Sequence, residues 1–206
     1  MPAAFAEPSK NSEQTNYEAV TGDSADEDKV FWDTFYKHKD NAYGKDAVGF
    51  LKENLSQIPK GKAFVPAMGE GRNALYLAKQ GFEVTGNDLS EVAVDKTMAF
   101  AKEQHLAIKG SVADLKQYKF VENKFDFVFL SLFFDRNLMP GFKKTIKKGG
   151  YIMLYEELYE GSPKNAPLFT VRHNELQELL HDFKMISYKE YKDNGKLVAA
   201  ALAKKI

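Results

Sequence analysis

Cysteine is absent from the 206 residues, which excludes disulfides, thiolate metal sites and a cysteine nucleophile. Net charge is missing too: 29 Lys plus Arg balance 29 Asp plus Glu. The basic field that nonspecific nucleic-acid binding needs is therefore not there. No apolar run approaches the ~18–20 residues of a bilayer span, so the sequence points to neither nucleic acid nor membrane. The four histidines, His38, His105, His173 and His181, have no metal-ligand spacing, and no G-x-S-x-G elbow occurs. Arginine is scarce: Arg72, Arg136 and Arg172 are the three among 29 basic residues. Acidic or polyanionic macromolecules are poor candidates for the partner of this chain.

What is present is ordinary for a folded domain. Hydrophobic residues make up 44% and charged residues 28% of the chain, enough apolar material for one core at this length. Residues 1–29 stand apart. They carry Glu7, Glu13, Glu18, Asp23, Asp26, Glu27 and Asp28 against Lys10 and Lys29, with few large apolar side chains. Such a stretch cannot offset its ordering entropy by burial, so it reads as a flexible acidic tail before a domain over 30–206. The Asp23/Asp26/Asp28 cluster lacks the Gly and terminal Glu of a calcium loop.

From residue 30 onward, short apolar runs alternate with helical stripes. Strands are expected at 63–65, 82–86, 106–108, 125–130 and 151–155, the last after the Gly149-Gly150 break. Helices are expected at 46–55, on the apolar face of Ala74, Leu75, Leu77 and Ala78, and on that of Val94, Thr97, Met98 and Ala101 with Ser90 as N-cap. A further helix, 174–181, opens with Asn174 and Gln177 at capping-box spacing. This alternation implies a mostly parallel sheet with helices on both faces. The end differs. Apolar runs 185–188 and 197–202 flank Asp193-Asn194-Gly195, a turn that joins antiparallel strands and closes a seven-stranded sheet with a hairpin.

The chemistry concentrates at Gly69-Glu70-Gly71-Arg72-Asn73, between the first strand and its helix, where open α/β sheets bind ligands. The two glycines are expected to let the backbone approach a ligand closely and to adopt conformations closed to other residues. Asp88 ends the second strand, placed to accept hydrogen bonds from the ribose hydroxyls of an adenosine or to cap the next helix. Phe31-Trp32-x-x-Phe35-Tyr36 is an aromatic stripe at helical spacing, read either as core packing or as a cover for a ligand.

Val65-Pro66-Ala67-Met68-Gly69-Glu70-Gly71-Arg72-Asn73-Ala74, followed by Leu77-Ala78-x-x-Gly81-x-x-Val84-Thr85-Gly86-x-Asp88-x-Ser90, resembles class I S-adenosylmethionine-dependent methyltransferases near the tellurite-resistance group. Asp114-Leu115, Phe125-Asp126-x-Val128 and Lys147-Lys148-Gly149-Gly150 extend the likeness over residues 31–204. The resemblance implies a Rossmann-like methyltransferase fold, S-adenosyl-L-methionine as cofactor and methyl transfer to a small soft nucleophile such as a thiol or chalcogen oxyanion. It also implies residue roles. Gly69, Glu70 and Gly71 would line the methionine part, Asp88 and Leu89 the ribose and adenine edge, Asp114 and Leu115 the adenine amino group, and Ser131 the sulfonium. Trp32 would cover the cofactor. On the acceptor side the candidates are Tyr36, Arg136 and Glu156, with Arg172 also on the ligand side of the sheet. Two positions depart from the family pattern: Val65 replaces an acid that holds the methionine amino group, and Ala67 replaces a third glycine.

Two other readings fit the same residues: a cofactor-binding sensor without turnover, and a nicotinamide oxidoreductase, against which the hairpin counts. The expected protein is a cytoplasmic monomer or homodimer. Ala4-Phe5-Ala6 has the A-x-A form of a secretory cleavage site without the basic and apolar regions that precede one, and would instead indicate export.

Overall fold

In the computed structural model, which describes residues 25–162, 167 and 169–206, the alternating pattern resolves into a single mixed sheet with helices against it. In chain order the elements are α1 (Ala25–His38), α2 (Gly49–Asn54), β1 (Lys62–Val65), α3 (Arg72–Lys79), β2 (Glu83–Asp88), α4 (Glu91–Glu103) and β3 (Ile108–Val112). There follow β4 (Phe125–Ser131), α5 (Met139–Thr145), β5 (Ile146–Leu158), β6 (Thr170–Val171), α6 (Glu175–Leu179), β7 (Phe183–Asp193) and β8 (Lys196–Lys205). The sheet order is β3-β2-β1-β4-β5-β8-β7, with the two-residue β6 beside the end of β5. The seven expected strands are therefore all present, and β6 is an eighth.

Strands β1 to β5 run parallel, while β8 is antiparallel to both β5 and β7. The hairpin has the geometry its sequence asked for. Asp193 pairs with Lys196, and Asn194 and Gly195 both take positive φ, 49° and 83°, as a two-residue primed turn requires. Strand order reverses between β1 and β4, and there the crevice for a ligand opens.

Each face of the sheet buries its own core. Phe127, Phe129 and Met153 pack with Phe50, Leu77 and Val94 on one side. Phe64, Leu130 and Ile152 pack with Phe142 and Leu176 on the other. This is the period-2 alternation of strands covered on both faces, and truncating one such Phe to Ala would cost about 3–5 kcal/mol.

Several expectations are corrected. Residues 25–29 are not tail: they form the first turn of α1, where Asp26, Glu27 and Asp28 suit the positive end of the helix dipole. Residues 1–24, with Asp23 and the Ala4-Phe5-Ala6 motif, lie outside the described residues. The third strand begins where its apolar run ends, at Ile108, because Leu106 is used to close the turn after α4. The capping box at Asn174 does not form. Asn174 sits at φ 63° with no side-chain cap bond, and α6 spans five residues. Instead the Glu175 carboxylate accepts from the Arg172 N–H at 2.9 Å, holding the chain from before the helix.

Candidate active site

The loop after β1 turns sharply to enter α3. Met68 N–H donates to the Asn87 carbonyl, and Ala67, Gly69 and Gly71 all take positive φ, 46°, 56° and 79°. Such a turn turns main-chain atoms outward along one wall of a cavity of about 700 Å³, within the usual size of a small-molecule site. The other walls come from the carboxyl ends of β2, β3 and β4, from α1, and from the segment around β6.

Both glycines take the left-handed conformation expected of them, and their surroundings add a further reason for them. A Cβ on Gly71 would lie 2.5 Å from Thr97 Cγ2, and one on Gly69 would lie 2.9 Å from the Tyr36 hydroxyl. Protein packing, from α4 and α1, occupies the space a side chain would take. Thr97 Oγ1 also donates to the Gly69 carbonyl at 2.9 Å, so α4 fixes the loop from behind.

Asp88 is the pivot of the site. Its Oδ2 accepts from Gly69 N–H at 2.8 Å and its Oδ1 from Ser90 N–H at 2.9 Å, while the residue borders the cavity. Asp88 thus closes the turn before α4, whose N-cap is Ser90, and faces the cavity as well. Burial raises its pKa to about 6, with the amides of Ser90, Gly69 and Leu89 pulling the other way. Ser90 caps α4 as expected, accepting from Ala93 N–H at 3.2 Å, and its hydroxyl donates to Asp33 at 2.7 Å. Asp33 also accepts from Val92 N–H at 3.2 Å, so α1 is stitched onto the start of α4 by a residue the sequence reading passed over.

That stitching decides the aromatic stripe. Trp32 and Tyr36 stack at 5.9 Å between ring centroids and both line the cavity, whereas Phe35 turns to Tyr43. Glu70 lines it as well. Its carboxylate accepts from the amides of Asn41 and Ala42 at 3.0 and 2.7 Å and pairs with Lys96 at 3.1 Å, holding the strap after α1. Asp114 closes its own turn, accepting from Lys116 N–H at 2.8 Å and Gln117 Nε2 at 3.1 Å, and stands with Leu115 on the wall. Leu89 stands there too. Ser131 Oγ accepts from Asn73 Nδ2 at 3.0 Å, and Asn73 Oδ1 accepts from Val48 N–H at 3.1 Å. All nine residues expected around a cofactor thus meet at one cavity.

The acceptor-side candidates divide. Tyr36 and Arg136 line the cavity; Glu156 does not. Strand alternation puts Glu156 on the same face of β5 as Ile152, Leu154 and Leu158, inside the core covered by α5 and α6. It is fully buried, and neither carboxyl oxygen has a hydrogen-bond partner among the described residues. Burial pushes its pKa well above the ordinary value; the Leu132 and Phe133 amides oppose this electrostatically without aligning for a bond. A group so placed cannot serve as a base for a ligand in the cavity. No metal-holding group of His, Asp and Glu occurs among the described residues, and no described helix is long and apolar enough to cross a membrane.

Comparison with known proteins gives this geometry a family. Residues 32–201 match the model for the tellurite resistance protein TehB. The chain belongs to the TehB family. A Haemophilus influenzae protein named probable S-adenosyl-L-methionine-dependent methyltransferase TehB is 29% identical over 131 residues, 59% of this chain and 46% of that protein. Hemagglutinin 1 of Eikenella corrodens is 23% identical over 148 residues, 68% of this chain and 49% of that protein. The chain spans about half the length of the curated relatives it matches. The crystal structure of TehB from Haemophilus influenzae superposes with a TM-score of 0.69 at 22% identity, over 85% of this chain and 67% of that one. The fold is the same.

The two departures from the family pattern can now be placed. Val65 is buried in β1, and Ala67 borders the cavity in the left-handed region at φ 46°, a conformation that costs a non-glycine residue about 1–2 kcal/mol. Residues the sequence reading missed include Asp28, Phe133 and Phe169, all on the cavity wall. Asn73, already marked in the glycine motif, stands there too from the first turn of α3. Phe169 had no local signal, because what gives it meaning is a contact with Phe133, in the segment after β4.

Proposed function

We propose that this chain transfers a methyl group from S-adenosylmethionine to a small-molecule acceptor with a soft nucleophile, a thiol or a chalcogen oxyanion. The observation that carries the reading is Asp88: a buried carboxylate at the end of β2, locked by two backbone amides yet open to the cavity. Each oxygen keeps a lone pair after its bond to Gly69 or Ser90, so the pair can accept from two vicinal hydroxyls such as those of a ribose. The cavity suits the donor in charge as well. Asp28, Glu70, Asp88 and Asp114 ring one end, and the Trp32 and Tyr36 rings add a face that attracts a cation by about 0.5–2 kcal/mol.

When bound, the cofactor supplies a methyl already activated on a sulfonium. What remains for the protein is to hold, align and keep water out. The 67–71 loop and Asp88 would grip the nucleoside and amino-acid parts, Ser131 would face the reacting end, and Tyr36 and Arg136 would orient the acceptor. A thiol or oxyanion that ionises in water needs little help from a base, which accords with Glu156 lying in the core. That same absence of a base favours a second reading, cofactor binding without turnover.

Calorimetry with S-adenosylmethionine, S-adenosylhomocysteine and NAD tests the donor: the first two are expected to bind and NAD not, and the reverse order defeats the proposal. Product formation across thiols, selenite and tellurite then separates catalyst from sensor. The protein is read as acting in the cytoplasm as a monomer or homodimer, on a small molecule.

A further inference from the structure

All three arginines of the chain line this cavity, while among the described lysines Lys116 alone does. Two of the three share one carboxylate. Glu175, nearly inaccessible, accepts from Arg136 Nε at 2.6 Å and Nη2 at 2.7 Å, from the Arg172 backbone N–H at 2.9 Å and, more weakly, from Arg172 Nε at 3.4 Å. The pair of guanidinium groups keeps Glu175 below the usual carboxylate range in spite of its burial. Two cations on one anion leave a positive charge unbalanced. Arg136 Nη1 and both Nη atoms of Arg172 make no hydrogen bond among the described residues, and about half of each side chain is exposed, 48% and 52%. Asp135 is the acidic neighbour at this end, and one of its oxygens is taken by Asn137 N–H at 2.8 Å.

Beside the arginines the wall is apolar. Phe133 and Phe169 stack at 5.0 Å with their planes 30° apart, and the Arg136 guanidinium lies over Phe134 at 4.9 Å. A planar guanidinium held on its Nε edge by a buried carboxylate is oriented to present its remaining donors to an oxyanion; in Arg136, whose Nη2 also donates to the Thr170 carbonyl at 3.3 Å, that donor is Nη1. We propose that this end of the cavity is the acceptor subsite, and that it takes a flat apolar molecule bearing a carboxylate, the carboxylate on Arg172 and Arg136 and the apolar body against Phe133 and Phe169. The assignment rests on the methyltransferase reading for what happens to that molecule, but not for its binding. An aromatic thiol acid fulfils both requirements. Its thiol proton goes to water, the thiolate sulfur forms the new bond to the methyl carbon, and the donor's carbon–sulfur bond breaks with its electron pair left on the donor sulfur.

The test uses benzoate and its neutral isostere benzamide, titrated into the whole chain saturated with S-adenosylhomocysteine. Benzoate is expected to bind about 10-fold more tightly than benzamide, as one charge-assisted hydrogen-bonded pair implies. Arg172→Gln should reduce that ratio to about 3 or less while the affinity for S-adenosylhomocysteine stays within about threefold. Turnover of 4-mercaptobenzoate should exceed that of 4-methylbenzenethiol in kcat/KM by a similar factor, which Arg172→Gln abolishes through KM. Equal affinities for benzoate and benzamide, no binding of benzoate, or a ratio unchanged by Arg172→Gln overturns the subsite. Preferred turnover of tellurite over both thiols, without benzoate binding, overturns it too. If S-adenosylhomocysteine itself does not bind, the donor reading fails. The same benzoate and benzamide titrations on the protein alone then decide the arginine site by themselves.

Discussion

The two ends of the cavity are made in different ways. Around Asp88 the wall is built on the 67–71 loop, the end of β2 and the turn after β3, each held by a backbone amide donating to a carboxylate: Gly69 and Ser90 to Asp88, Lys116 to Asp114. Around Arg172 the wall is side chain: Phe133, Arg136 and Phe169, with Glu175 buried behind them, come from segments on either side of β5 and meet because β6 returns beside that strand. A ligand gripped by backbone geometry meets a surface that substitutions scarcely alter. One gripped by side chains meets a surface that a single exchange can redirect. The donor end is thus the constrained part of the site and the acceptor end the adjustable part.

The hardest blow to the constrained end is Gly71→Ala. Its added Cβ meets Thr97 and its φ of 79° is strained for alanine, so more than about 2 kcal/mol of stability should be lost, read as the shift in the urea midpoint. Thr97→Ala in the same chain should restore the part due to the clash; no restoration would show that α4 is not what the glycine accommodates. Next comes Asp88→Ala, expected to weaken S-adenosylhomocysteine binding by ~10–100-fold in calorimetry while benzoate still binds the arginine end.

The charge of Asp88 gives a sharper form of that comparison. Vicinal hydroxyls donate to the carboxylate, and the buried group has a pKa of about 6. Affinity should therefore be level above about pH 7 and fall as pH drops through 6, by up to about tenfold per unit. Asp88→Asn should bind weakly at every pH with that fall removed. A wild-type profile that stays level down to pH 5 would mean that the ligand does not use Asp88.

Glu156→Gln addresses the side chain that belongs to neither end. The folded-state pKa of Glu156 is raised, so its cost to stability is absent below the ordinary carboxylate range and grows as pH rises toward the folded value. The Gln variant should melt higher than wild type at pH 8 and about equally at pH 4, with methyl transfer unchanged. Loss of transfer with stability intact would return Glu156 to the chemistry. Smallest is Ala67→Gly, which relieves the left-handed strain but adds unfolded-state entropy, for a net gain of up to about 1 kcal/mol in chemical denaturation.

The contrast between the ends also explains what could be read in the chain beforehand. Gly69, Gly71 and Asp88 announced themselves because a turn, a positive φ and a strand end are local events, governed by residues within a few positions of one another. The Asp193-Asn194-Gly195 hairpin was legible for the same reason. Glu156 misled because a strand end near a ligand looks the same whichever face a residue takes, and the register of β5 against β4 and β8 chooses the face. The first turn of α1 was misread as tail because its partner, Lys116 against Asp28, is 88 residues away.

Local chemistry, written in glycine, capping and alternating apolar residues, was enough to set the element types, the parallel order with its closing hairpin, and the donor-side crevice. Three-dimensional packing alone decided that Trp32 and Tyr36 face that crevice, that Glu156 does not, and that Arg136 and Arg172 share Glu175. The physical reason is range: hydrogen bonds along a turn depend on neighbours in the chain, whereas ion pairs and ring contacts depend on which distant segments the buried sheet brings together.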